Sequence, residues 1–157
     1  MKRLIISAAL VTLLFAPAAF SQQKASTDSM IEMLRSDLRT EKKALIEKTL
    51  QFTEKEAAAF WPFYREYELE ASKVVDLRIA SLKDYAANYE KIDDKKAEEL
   101  VKKTISFQED RLDLMGKYYK KASKFLGPKR AAQWIQVENQ INTLIDAQMT
   151  IETPLIK

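Results

Sequence analysis

Few residues of this chain could make or break bonds. It has no cysteine and no histidine, which removes disulfides, thiol chemistry, the usual proton shuttle near neutral pH and the commonest transition-metal ligand. Two acidic pairs remain, Asp93 with Asp94 and Glu98 with Glu99, and paired carboxylates can run acid–base chemistry when they share a site. Consecutive residues diverge on a helix, however, and Glu98 and Glu99 stand four places before Lys102 and Lys103, the spacing of surface ion pairs. Glu66, Glu68 and Glu70 are two apart and face different ways. Met30 and Met33 could touch a soft ion together, but core packing explains them more simply. A serine nucleophile would lack its activating base, and with only Gly116 and Gly127 there is no glycine-rich phosphate cradle. The expectation is a protein that is not an enzyme, has no catalytic residue, metal site or cofactor, and works by non-covalent binding.

The first residues narrow where that binding takes place. Lys2 and Arg3 form a basic start, Leu4 to Phe15 an apolar run, and Ala16 to Ser21 a small-residue segment suited to a signal peptidase. Residues 1–21 are therefore expected to be a cleaved signal peptide, and residues 22–157 a single all-helical domain exported to the periplasm without a stable membrane anchor. The apolar run is shorter than the roughly 18 residues that suit a spanning helix. Of the 26 basic residues, Lys2 and Arg3 leave with the leader, so 24 face 23 acidic ones and the net charge falls from +3 to +1. Such a balance gives no footing for nucleic-acid binding.

Four helices must position whatever binds. Ile31, Leu34, Leu38, Leu45 and Leu50 keep helical spacing, interrupted by Glu41, and predict a first helix near 28–49. Thr53 can cap a second helix, with Glu56 three places on to close a capping box and Phe52 in the staple position. From Phe60 through Tyr64, Tyr67, Ala71, Val75, Ile79, Leu82, Tyr85 and Tyr89 to Ile92 the stripe specifies one helix of roughly 40 residues, about 60 Å long. Pro62 should bend it without stopping it. After Ile92-Asp93-Asp94 a third helix carries two apolar rows, one through Val101, Ile105, Leu112, Met115 and Tyr119, the other through Leu100, Phe107, Leu114, Tyr118 and Phe125. Two rows allow one flank to be buried and the other offered to a partner. Leu126-Gly127-Pro128 ends that helix and opens a fourth, marked by Ala131, Trp134, Val137 or Glu138, and Ile141, and fading before Pro154. The expected fold is all-α, with long, bent, antiparallel central helices. Their unequal lengths leave apolar surface for a second copy or another partner.

Two of the helix starts match each other. Phe52 aligns with Leu126, Thr53 with Gly127, Lys55 with Lys129, Ala57 and Ala58 with Ala131 and Ala132, and Phe60 with Trp134. The doubled motif, at Phe52-Thr53-Glu54-Lys55-Glu56 and Leu126-Gly127-Pro128-Lys129-Arg130, resembles the LTxxQ-type (Spy/CpxP-like) periplasmic helical family. It departs from that family's pattern at Phe52, at Gly127, and at Glu56 and Arg130, which replace the glutamine. The resemblance implies a hairpin assembly that dimerises as a cradle. It also implies an ATP-independent chaperone or envelope-stress modulator for unfolded or envelope polypeptides. Candidate contacts for such clients are Arg35, Arg39, Lys42 and Lys43, with Tyr64, Tyr67, Tyr118 and Tyr119, since aromatic rings and long basic stems accommodate varied apolar and acidic segments. The alternatives are a structural or regulatory module for one specific envelope partner and, behind it, a metal sensor.

Overall fold

The computed structural model describes residue 36 and residues 38–156. The expected signal peptide, Ile31 and Leu34 of the first apolar stripe, and Arg35 lie outside the described residues. The chain divides into two units, Met1–Glu41 and Lys42–Lys157. In the first, residues 38–41 are helical and the Thr40 hydroxyl donates to the Ser36 carbonyl at 3.1 Å.

In the second unit, helix α1 (helical to residue 50) is followed by α2 (Glu54–Asn88), a short 3-10 turn (Tyr89–Lys91), α3 (Asp94–Leu126) and α4 (Pro128–Glu152). The described residues are all-helical, with four helices and no strand.

Local chemistry sets the boundaries. The Thr53 hydroxyl accepts from the Glu56 amide at 3.3 Å, and the Glu56 carboxylate accepts from the Thr53 amide at 2.8 Å, completing the capping box. Asp93 caps α3 by accepting from the Lys96 amide at 2.8 Å. Gly127 alone separates α3 from α4. At φ 80° and ψ 157° it adopts a backbone that side-chain-bearing residues avoid, and Pro128 supplies the first residue of the next helix. Gln51 closes the turn after α1 at φ 45°, a left-handed conformation held by a residue with a Cβ. Helix α2 passes through Pro62 without interruption, because that proline is exposed and the carbonyl it deprives of a donor can be satisfied by water.

Side-chain pairs fix the topology. Phe63 meets Phe125, Glu70 meets Lys117 and Asp84 meets Lys103, so α3 runs antiparallel to α2. Glu56 meets Arg130, Phe60 meets Trp134 and Tyr64 meets Glu138, so α4 runs parallel to α2, with an offset of 74 residues over its first turns. Helix α1 packs back along α2, with Lys42 at Glu68 and Lys43 over Trp61. Around this end of the second unit, Ile46, Leu50, Phe60, Tyr64, Tyr67, Leu114, Tyr118, Ala122, Ala131, Trp134, Val137 and Ile141 form one core. Trp134 stands edge-on to Phe60, Phe63, Tyr64 and Tyr67 with centroids 5.1–6.5 Å away, the geometry aromatic rings favour.

The two apolar rows of α3 part only in their first half: farther along, Met115 of the first row is buried and Phe125 of the second is exposed, because the packed face shifts around the helix along its length. Leu100, Phe107, Leu114 and Tyr118 are buried, whereas Val101 (54 % exposed), Ile105 (52 %) and Leu112 (64 %) face outward.

Gly127→Ala is expected to destabilise the fold by about 1–3 kcal/mol through backbone strain alone, since nothing lies within 4 Å of the added Cβ. Gln51→Gly is expected to stabilise by up to about 1 kcal/mol. Urea unfolding checks both signs, and a neutral Gly127→Ala would contradict the backbone assignment.

Candidate functional site

The most buried polar group is the carboxylate of Glu138, 0 % exposed inside the aromatic core. A lone carboxylate there would be costly, and three neighbours offset the cost. The hydroxyls of Tyr64 and Tyr67 donate to it at 2.9 and 3.3 Å, and Lys42 Nζ of α1 stands 3.2 Å away. Lys42 also donates to Glu68 at 2.8 Å, where the Tyr64 hydroxyl makes a second contact at 3.1 Å. Burial alone would lower the Lys42 pKa, but Glu138 and Glu68 outweigh it and the ammonium is held above its ordinary value. Burial, reinforced by Glu138, pushes both tyrosines well above theirs. A carboxylate so enclosed has no path to a substrate, and the cluster's role is to hold α1, α2 and α4 in one arrangement.

This burial relocates several expected binding residues. Tyr64, Tyr67 and Tyr118 belong to the core and present no surface to a client, and Lys42 points inward to Glu138. Tyr118 donates to Glu70 at 3.0 Å, and burial together with that carboxylate pushes its hydroxyl up to about 12. Lys43 remains exposed, 3.8 Å from Glu47 and 5.2 Å above the Trp61 ring. Tyr119 is half-buried against the core, and Arg39 is exposed in the first unit. Of the candidates in the second unit, Lys43 is the exposed one.

The doubled motif does come together. Arg130 donates to both oxygens of Glu56, Nε to Oε1 at 3.1 Å and Nη2 to Oε2 at 3.3 Å, and its guanidinium lies 5.2 Å from the Phe52 ring. Hydrogen bonds from the Thr53 amide and from Arg130 hold the Glu56 carboxyl below its ordinary value. Leu126 packs against the core beside Gly127 and Pro128. Glu56 and Arg130 thus form an ion pair linking the two helix starts.

The opposite end of the unit is built differently. Asp146 of α4 accepts from Arg78 of α2 and, at 2.7 Å, from Arg111 of α3; both guanidiniums lie 5.1 Å from the Phe107 ring. Burial alone would raise the Asp146 pKa, but Arg111 and Arg78 more than reverse it. Beside this triad are a cleft of about 270 Å³ lined by Leu82, Phe107, Met149 and Leu155 and another of about 430 Å³ lined by Leu82, Tyr85, Ala86, Tyr89, Met149 and Pro154. Arg78 and Asp146 gave no signal in the sequence, since each reads as an ordinary charge at the edge of an apolar stripe. Glu138 gave a partial one, because it occupies an inward register position of α4.

Among the described residues no three acidic side chains cluster as a metal site would require, and no helix is long and apolar enough to cross a membrane. The fold and these clusters define an all-α helical bundle with polar ties inside and beside its core. Comparison with family models, curated proteins and solved structures finds no match.

Lys42→Met is expected to destabilise the protein by about 3–5 kcal/mol, because it leaves Glu138 buried without its cation. Replacing both, Lys42→Met with Glu138→Leu, should recover much of that loss in urea melts. The raised Lys42, Tyr64 and Tyr67 set the alkaline limit. Their stabilisation is fully present below the ordinary values of 10.0 and 10.5 and is lost as pH rises from there toward the folded-state values. The urea midpoint should therefore fall above about pH 10, and less steeply in Tyr67→Phe than in the unmodified chain.

Proposed function

We propose that this protein is a non-covalent, ATP-independent binding protein for unfolded or envelope polypeptides, acting in the periplasm as a chaperone or stress modulator. The observation that carries the reading is the surplus of apolar side chains on a charged helical surface: Val101, Ile105 and Leu112 along α3, with Leu69 and Leu77 on α2, all more than half exposed. Fully burying a leucine-sized side chain is worth about 1.5–3 kcal/mol, so a row left open this way favours association over isolation. The paired helix starts, joined through Glu56 and Arg130, supply a scaffold in keeping with the resemblance of the doubled motif.

The α3 row has a natural occupant in a second copy of itself. Two antiparallel α3 helices crossing between residues 108 and 109 would set Ile105 of each against Leu112 of the other. Acidic Asp94 and Glu98 would then lie near Lys124 and Lys120, all four being exposed. The homodimer is therefore part of the proposal, and the pairing is complementary in both apolarity and charge.

Two measurements test it. Mature residues 22–157 should suppress light scattering from several chemically denatured proteins at near-stoichiometric amounts, whereas an inert protein of equal size should not. Absence of suppression across all of them would overturn the chaperone reading, and recovery of one dominant envelope protein would replace it with a dedicated partner. The double variant Ile105→Asp/Leu112→Asp should sediment as a monomer with its helical circular dichroism intact; an unchanged mass would remove α3 as the dimer surface.

A further inference from the structure

The segment after α4 leaves the helix in an extended conformation, with Thr153 at φ −94° and ψ 112°, and crosses the surface of α2. The Tyr85 hydroxyl donates to the Pro154 carbonyl at 2.6 Å, and the Tyr89 hydroxyl donates to the Leu155 carbonyl at 3.1 Å. The two tyrosines are one helical turn apart, with ring centroids 5.6 Å from each other. They rim the cleft of about 430 Å³ floored by Leu82, Ala86 and Met149.

Both hydrogen bonds go to main-chain oxygens, which every polypeptide carries. The side chain between them takes little part, since Leu155 is 88 % exposed. Pro154 has no amide hydrogen to satisfy and its fixed φ favours an extended chain. Thr153 and Pro154 form one wall of the cleft, so what the two hydroxyls hold is a stretch of extended backbone beside an open apolar space, gripped with little regard to sequence.

We propose that the Tyr85/Tyr89 hydroxyl pair, with the apolar cleft beside it, is a binding site for extended apolar segments of client polypeptides, and that the main chain of residues 154 and 155 holds those hydroxyls in the resting chain as an internal competitor. This rests on the polypeptide-binding reading above and names both the site and its regulation. The segment is tethered at its own cleft, so its local concentration lies in the millimolar range typical of short linkers. It is also lightly held, by two hydrogen bonds at the protein surface. A client with more apolar surface displaces it, and the chain with its segment in place binds more weakly by the fraction of clefts that are free.

The test compares three proteins: mature residues 22–157, the same chain truncated after Thr153, and the truncated chain carrying Tyr85→Phe and Tyr89→Phe. Ending after Thr153 keeps the amide contact to the Thr150 carbonyl that closes α4, and phenylalanine keeps both rings, so thermal melts should stay close to that of the parent. The probe is fluorescently labelled α-lactalbumin, reduced and carboxymethylated so that it stays unfolded, titrated by anisotropy. Truncation is expected to tighten binding about three- to tenfold, and the two phenylalanines to abolish that gain. If the full mature chain binds and truncation gives no tightening, the competitor role is wrong while the polypeptide-binding reading stands. A gain that survives the double substitution places the new binding elsewhere and also overturns the proposal. If none of the three binds the probe, the polypeptide-binding reading itself fails and this inference falls with it.

Discussion

A single buried carboxylate constrains the second unit more than any other group. Glu138 is fully enclosed, and an ionised group in that position is tolerated only with its partners in place. Those partners come from two other helices: Tyr64 and Tyr67 on α2, and Lys42 on α1. A slide of α4 along α2 by one turn would carry the carboxylate away from the tyrosines and strand it among rings. Apolar contacts alone would tolerate such a slide, because Phe60, Phe63, Tyr64 and Tyr67 present a continuous aromatic face to Trp134. The aromatic cluster supplies most of the cohesion, and the Glu138 network selects one register from several that the rings would accept.

The same register explains why the two helix starts resemble each other. With α4 offset from α2 by 74 residues, Glu56 meets Arg130, Phe60 meets Trp134 and Tyr64 meets Glu138. Residues matched in the sequence are neighbours in space. A shared opening of cap, lysine, paired alanines and aromatic residue lets two parallel helices begin at the same level and bring rings together one turn later. Of the paired alanines, Ala131 is fully buried in the core, whereas Ala58 and Ala132 are exposed.

Features that depend only on neighbours along the chain are legible in the amino-acid sequence. The Thr53–Glu56 box and the Gly127-Pro128 junction appear where the sequence places them, since each is completed within four residues. The division of α3 into a buried and an open row is legible over its first half, where spacing of three and four residues fixes which side chains share a face, but Met115 and Phe125 exchange sides farther along. Choice of partner across helices is not. Tyr64 and Tyr67 look like binding aromatics in the sequence, and only the position of Glu138, 74 and 71 residues away, makes them internal donors. Lys42 reads as one of several cations on a solvated face, and its burial follows from where α1 packs. The contacts of Tyr85 and Tyr89 with residues 154 and 155 leave no trace in periodicity, for they involve backbone oxygens whose positions no side-chain pattern encodes.

The two ends of the second unit therefore resist opening to different degrees. Near Trp134 the helices are joined by close-packed rings and a buried ion network, and separating them would expose large apolar area together with an uncompensated carboxylate. Near Tyr85 the ties are partly exposed ion pairs, Lys96 and Lys103 with Asp84 and the two arginines with Asp146, plus two hydroxyl contacts at the surface. Partly exposed pairs typically contribute less than about 1 kcal/mol each, and groups held in this way open at a lower free energy than a packed core. The sequence concentrates aromatic residues and the buried carboxylate where rigidity is required, and leaves the exchangeable contacts at the end where α2 turns into α3 and the chain departs from α4.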